Sequence, residues 1–329
     1  MVTIRDVARE AGVSIGTVSR VMSGSSATSE SSRMRVREVA ERLGYVPNLQ
    51  ARSLRGAGTG VLGLLVPDVR NAYFAEFAHA AEQEGLRRGY VTVLANADED
   101  GARQDRYLRA LQSQRVDGML VVPQGERAEE LGRLVGTGAP LVFADRRIDG
   151  LDVPTVSFDV AGGMRQALEY LAVRGHQRVG YAGGPLSTST GRDRKRAFDE
   201  ISRELELDSD PALSVLGSNR TSDGGIAVAE FLQLRPPPTA VITSNGLIAL
   251  GVLLALRQRG LRHGADLELV SYDDEDWMPL VEPGLTVIAH DPDVLGATAM
   301  RLLFERVDGG RPDSIVLPTR LVMRAGEVR

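Results

Sequence analysis

Residues 3–24 read TIRDVAREAGVSIGTVSRVMSG, and the spacing of the apolar residues in this stretch decides the fold of the N-terminal part. Ile4, Val7, Ala8 and Ala11 recur at i, i+3, i+4 and i+7, one face of a helix, with Thr3 placed to cap it and Asp6 in its first turn. Gly12 ends that helix, because glycine enters positive φ without a Cβ clash. Ser14 then caps a second helix whose Val18, Val21 and Met22 face inward, and Ser23-Gly24 stops it. Two short helices joined at Gly12-Val13 have the spacing of a helix-turn-helix, whose second helix enters the major groove of DNA. A third helix, Ser29 to Leu43, turns Val36, Val39, Ala40 and Leu43 inward and stops at Gly44. The pattern alone leaves open a three-helix packing module with no DNA role.

The next residues speak for DNA. Tyr45-Val46-Pro47-Asn48 opens a short helix with proline at a first-turn position. It continues through Leu49-Gln50-Ala51-Arg52-Ser53-Leu54-Arg55 into the glycine-rich linker Gly56-Ala57-Gly58-Thr59-Gly60. Two turns of helix are marginal alone in water, and Leu54 beside Arg52 and Arg55 lacks a protein surface to cover it. DNA supplies one, with the leucine as a minor-groove wedge and the arginines at phosphates.

Charge follows the same division. The whole chain of 329 residues carries −5. Nine arginines against five acids give residues 1–58 a balance of +4, so the remainder stands at −9. A basic head on an acidic body points to a polyanion partner for the head. There is no cysteine, which excludes disulfides, thiolate metal sites and a cysteine nucleophile. No apolar run approaches the roughly 20 residues of a membrane helix. Charges at Arg5, Asp6, Arg9 and Glu10 occupy the place of a signal peptide's apolar core, so a cytoplasmic protein without a membrane partner is expected.

Beyond Gly60 the pattern changes to α/β. Apolar runs at Val61–Pro67, Val91–Ala95, Gly118–Pro123, Leu141–Ala144, Val179–Ala182, Ala240–Ser244 and Leu269–Tyr272 predict strands. Amphipathic stretches such as Phe74–Arg88, Arg103–Gln114, Met164–Arg174 and Leu247–Arg259 alternate with them. This alternation predicts parallel sheets covered by helices, with ligands at the carboxyl ends of the strands.

The segments TIRDVAREAGVSIGTVSRVMSG, LGYVPNLQARSLR, VPDVRNAYFAE, RGHQRVGYAGGP, LVSYDD and PGLTVIAHD span essentially the whole chain. On them the protein resembles the lactose-repressor (LacI/GalR) family of bacterial transcription regulators. The resemblance implies an all-α helix-turn-helix head over residues 1–46, a hinge helix and linker over 47–60, and an effector-binding, dimerising body over 61–329. That body is expected to be periplasmic-binding-protein-like, with two parallel-sheet subdomains and three crossings between them. The first takes about 61–160 plus 291–320, and the second about 161–290 plus the tail. DNA contacts are expected from Thr3, Ser14, Ile15, Gly16, Thr17, Arg20, Asn48, Ala51, Leu54 and Arg55. Arg20 is the expected reader of a guanine edge; Ser14 and Thr17 hold phosphates, and Ile15 offers apolar contact only.

The effector residues implied are Tyr73, Phe74, Asp145, Arg146, Arg192, Arg220, Asn245 and Asp273. Tyr73 and Phe74 are placed to stack on a ring, with core packing an equal reading for Phe74. Asp145 and Arg146 are too polar for a core. Arg192, six residues before Phe198, matches a position that grips the effector. Asn245 and Asp273 match residues that bond its hydroxyls. Val160 and Gly246 depart from the family's more usual Asn and Asp. Arg220 stands where relatives commonly place an aromatic. It either joins Arg146 and Arg192 around an anionic ligand, a sugar acid or sugar phosphate rather than a neutral sugar, or points to solvent from SNRTSDGG.

The activity expected is therefore that of a ligand-responsive repressor binding a near-palindromic operator in double-stranded DNA, with a small carbohydrate-like effector. The nine residues from Leu321 are too few for a heptad tail, so a homodimer is expected rather than a tetramer. A cytoplasmic sugar-binding protein or sugar-processing enzyme with an accidental helix-turn-helix is the alternative. Against an enzyme, the one lysine, Lys195, lacks a phosphate loop, and the four histidines are scattered. Asp273-Asp274-Glu275-Asp276 reads as a solvated turn more readily than as a metal cluster. No catalytic residue, metal or cofactor is expected.

Overall fold

The computed structural model describes residues 2–22, 27–45, 58–126 and 129–324. The chain divides into two compact units, Met1–Gly60 and Val61–Arg329.

Among its described residues the first unit holds three helices, α1 (Ile4–Ala11), α2 (Ile15–Met22) and α3 (Glu30–Leu43). Their inward faces meet in a small core in which Val7, Val18 and Val36 are fully buried. The breaks are local chemistry. Gly12 and Gly44 end α1 and α3 at φ +63° and +62°, a region that costs other L-residues roughly 1–2 kcal/mol. Asp6 accepts from both the Thr3 N–H (3.0 Å) and its hydroxyl (2.7 Å), while Ser29 caps α3. The expected hinge contacts Asn48, Ala51, Leu54 and Arg55 lie outside the described residues.

The second unit is built on two six-stranded sheets. In chain order it runs β1 (Val61–Val66), α4 (Ala72–Arg87), β2 (Val91–Asn96), α5 (Gly101–Ser113), β3 (Gly118–Val121), α6 (Glu129–Gly136), β4 (Leu141–Ala144) and β5 (Thr155–Phe158). It continues through α7 (Val160–Val173), β6 (Val179–Gly183), α8 (Ser189–Glu204), β7 (Ser214–Leu216), α9 (Thr221–Phe231), β8 (Ala240–Thr243), α10 (Gly246–Gln258), β9 (Glu268–Tyr272) and β10 (Thr286–Ala289). The last elements are α11 (Pro292–Val307), β11 (Ile315–Leu317) and β12 (Arg320–Val322). One sheet has the order β11-β5-β4-β3-β1-β2, the other β12-β10-β9-β8-β6-β7. All pairings are parallel except β10 with β12. The chain crosses between the sheets after β5, after β10 and after β11. Strands β3, β4, β6, β8 and β9 are buried throughout, because helices cover both faces, and this is why they appear as unbroken apolar runs.

Strands β5, β7, β10, β11 and β12 were not among the expected runs. Each has only three or four residues, too short a run to stand out in the sequence, and each pairs with a neighbouring strand. Both sheets reverse their strand order beside the first strand, β1 in one and β6 in the other. Such a switch point splays the connecting loops apart and opens a crevice at the carboxyl ends.

Candidate functional site

The crevice is there. A narrow, partly open cavity lies between the two sheets' carboxyl ends, and its walls follow strands one by one. Asn71, Tyr73 and Phe74 come after β1, Glu99 after β2, and Asp145 and Arg146 after β4. From the other half come Thr188, Thr190 and Arg194 after β6, Asn219 after β7, Ser244 and Asn245 after β8, and Asp273 after β9. Asn71, Thr188 and Asn245 also cap α4, α8 and α10, so three helix starts converge on the cavity. Asp145 and Asp273, each the first residue after its strand, sit at φ +61° and +71°. Strain of this kind in a non-glycine residue persists where the surroundings fix it, commonly at binding sites.

Most charges in the cleft are already matched. Arg146 is buried and clasps Glu99 with Nη1 and Nη2 at 2.7 and 2.8 Å, while Nη1 also donates to Gln124 Oε1 at 2.8 Å. Burial works against the Glu99 charge, but Arg146 outweighs it and holds the carboxyl below its usual range. Tyr73 donates its hydroxyl to Asp145 Oδ1 at 3.2 Å; burial first, then Asp145, push its phenol well up. Asp273 faces His290 Nε2 at 3.1 Å and accepts the Gly246 N–H at 2.9 Å. Although buried, it stays below the ordinary carboxyl range because His290 and Arg194 favour its charge.

Arg194 differs. Its guanidinium lies 4.2 Å from the centre of the Tyr272 ring and gives one hydrogen bond, at 2.6 Å, to the Ser244 carbonyl. Its Nε has no partner, and no carboxylate of the described residues lies within ion-pairing distance. A half-buried cation with donors to spare, facing a cavity, is a candidate ligand-binding group.

Of the expected effector residues, Tyr73, Phe74, Asp145, Arg146, Asn245 and Asp273 line the cleft. Arg192 and Arg220 do not. Arg192 turns outward to Glu126, Asp149 and the Leu186 carbonyl, and Arg194, two residues on, lines the cavity instead. The helix period carries the missed signal: Thr190, Arg194, Ala197, Phe198 and Ile201 share one stripe of α8, and Arg192 lies off it. Arg220 is exposed at the start of α9, and its neighbour Asn219 faces the cavity instead. Asn71, Glu99, Thr188, Thr190 and Ser244 also went unforeseen, each one to seven residues past a strand end.

In the head, α2 presents Ser14, Ile15, Gly16 and Arg20 on its exposed side. Ser14 Oγ accepts the Thr17 N–H at 3.1 Å, and the two hydroxyls lie 2.9 Å apart. Arg20 Nε donates to the Gly16 carbonyl at 3.2 Å, which lays the arginine along this face. Ile15 keeps 41% of its surface exposed.

Comparison with known proteins agrees with both halves. Residues 3–48 match the model of bacterial regulatory proteins of the lacI family, and residues 168–326 match a periplasmic binding protein-like domain. The chain is 36% identical to the HTH-type transcriptional regulator PtxS of Pseudomonas putida, over 98% of this chain and 95% of that one. Its fold is similar to the lac repressor dimer bound to operator and the anti-inducer ONPF, with a TM-score of 0.86, 27% identity and 98% of each chain covered. It is also similar to the transcriptional regulator CelR in complex with cellobiose, with a TM-score of 0.75, 30% identity and coverage of 99% and 100%. These relatives are regulators rather than enzymes, and no helix of the described residues is long and apolar enough to cross a membrane. The chain belongs to the lacI family of bacterial regulatory proteins, and it is a ligand-responsive, DNA-binding transcription regulator.

Proposed function

We propose that the cleft binds a small neutral polyol of the sugar class, and that the chain acts as a homodimeric repressor whose operator affinity this effector sets. The observation that carries the reading is the make-up of the cavity: hydroxyl, amide and charged groups converge from both halves around Tyr73 and Phe74. Such a wall suits a ring with one apolar face and a rim of hydroxyls. Its ionised residues are Glu99, Asp145 and Asp273 against Arg146 and Arg194, a balance that repels a doubly charged phosphate. With Arg192 and Arg220 outside the cavity, the case for an anionic ligand rests on Arg194 alone, whose lack of a carboxylate partner favours a sugar acid as the second reading. Thermal-shift measurements on matched pairs of sugars and their acids decide between them. The neutral member is expected to raise the melting temperature more; stabilisation by the acid alone gives the second reading, and stabilisation by neither member of any pair overturns both.

The dimer draws support from uncovered apolar surface. Edge strand β2 exposes Val91, Val93 and Leu94, at 62, 45 and 49%, and Leu250 and Leu254 stand one turn apart on the outer face of α10. Exposed apolar edge strands invite pairing. The lac repressor of similar fold was solved as a dimer. Light scattering is expected to give twice the 35.4 kDa chain mass, and Leu254→Glu to shift this toward the monomer. A wild-type monomer, or a tetramer, would contradict the proposal.

On DNA, Arg20 is the proposed base reader and Leu54 the proposed wedge. Arg20→Ala is expected to relax preference at one base pair per half-site by roughly 1–3 kcal/mol. Leu54→Ala is expected to weaken operator binding without changing effector binding. Operator affinity equal to wild type for Leu54→Ala, in a gel-shift titration, would remove the wedge.

A further inference from the structure

The first turn of α8 carries Arg192 and Asp193 side by side, and both reach across the mouth of the cleft to the other half of the body. Arg192 pairs with Asp149 Oδ2 at 2.8 Å and Glu126 Oε1 at 3.2 Å. Asp193 takes the guanidinium of Arg147 on both oxygens, with Oδ1 at 3.2 Å. One further bond joins the same turn, from the Arg147 N–H to Ser189 Oγ at 2.9 Å. The signs are reciprocal: a basic–acidic pair on α8 meets Arg147 and Asp149, two residues apart on the facing loop. On the other side of the cleft the crossing bond is uncharged in its donor, Asn219 Nδ2 to Glu99 Oε1 at 3.3 Å.

We propose that Arg192 and Asp193 are positioning residues, which with Asp149 and Arg147 form an electrostatic latch that sets how far the cleft stands closed before any effector arrives. The proposal rests on the cleft being the effector site, although its test does not. The charges are exposed on one side, Asp149 and Glu126 at 64% and Arg147 at 45%, and half-covered on α8, Arg192 at 30% and Asp193 at 16%. Such pairs add little to folding and are screened by salt. Opening between two packed halves is another matter, because the two states are close in free energy and small terms move the populations. The latch therefore couples closure to ionic strength. A closed cleft holds Arg194 and Asp273 against Asp145 and Glu99, in the arrangement an effector would bridge.

The absence of cysteine allows a direct test on the full chain. Spin labels are placed at Asp152→Cys and Arg203→Cys, both exposed positions, one in each half, and labelled protein is diluted with unlabelled. Electron double resonance at about 50 mM salt is expected to give mainly one short distance. Raising salt to about 500 mM, where screening acts within a few ångströms, is expected to increase a longer-distance population several-fold. Arg192→Glu is expected to show that population already at low salt, and Asp149→Arg added to it to restore the short distance. A distance distribution indifferent to both salt and Arg192→Glu overturns the latch, as does failure of the reversed pair to restore closure. Failure of the effector proposal leaves these distances unaffected, so the two can be told apart.

Discussion

Arg194→Met is expected to weaken effector binding by roughly 10- to 150-fold, the worth of a charge-assisted hydrogen bond or two in a dry site, while operator binding without effector stays near wild type. The half-buried side chain has its Nε shut off from solvent, stacks on Tyr272 and spends one bond on the Ser244 carbonyl, which leaves its other donors for the ligand. Methionine keeps the volume and loses the donors. It also removes a half-buried cation that no direct carboxylate compensates, so the protein should remain folded. Arg203→Met serves as the contrast, since Arg203 is exposed on the same helix and lies outside both the cavity and the cross-cleft ion pairs. Calorimetry should therefore separate two arginines of one helix. Affinities within threefold of wild type for Arg194→Met would remove Arg194 from the site.

Gly251→Ala is expected to destabilise the body by roughly 1–3 kcal/mol through overpacking. A Cβ at Gly251 would stand 1.9 Å from the Thr221 carbonyl oxygen, and one at Gly224 would stand 2.2 Å from that of Ile248. Helices α9 and α10 thus touch backbone to backbone, with no flexible side chain to move aside. The consequence reaches the cleft. Asn219 precedes α9, Asn245 caps α10, and the two are joined by an Asn245 Nδ2 to Asn219 Oδ1 bond of 3.1 Å. Forcing the helices apart pulls at that bond, so effector affinity should fall together with the melting temperature. Gly225→Ala is the control, because a Cβ there meets nothing within 4 Å. A Gly251→Ala protein that melts like wild type would show that the two helices can part at no cost.

What was legible in the sequence was local. Thr3, Gly12, Ser14, Ser29 and Gly44 act on backbone within a few residues, so the helix boundaries of the head could be read directly. The central strands were legible because both of their faces are buried. The edge strand β7 was not, since Ser214, Val215 and Leu216 owe their conformation to pairing with β6. The site was legible at Asp145, Asn245 and Asp273 because strand ends point at a crevice in any sheet of this kind. Arg192 and Arg220 lie outside the cavity for a different reason. Whether an arginine faces a cavity or solvent depends on one or two positions of helical phase, and here Arg194 and Asn219 hold the inward phase. The charges that close the cleft are spread over residues 126–193 and could be joined only in three dimensions.

Occupancy of the cleft must change affinity for DNA. The direct measurement is fluorescence anisotropy of an operator selected from random duplexes by the full chain, with and without the sugar that most raises its melting temperature. A coupled pair of sites is expected to change the operator dissociation constant by about 5- to 150-fold, and Arg194→Met to abolish that change. An operator affinity indifferent to a compound that demonstrably fills the cleft would contradict the account.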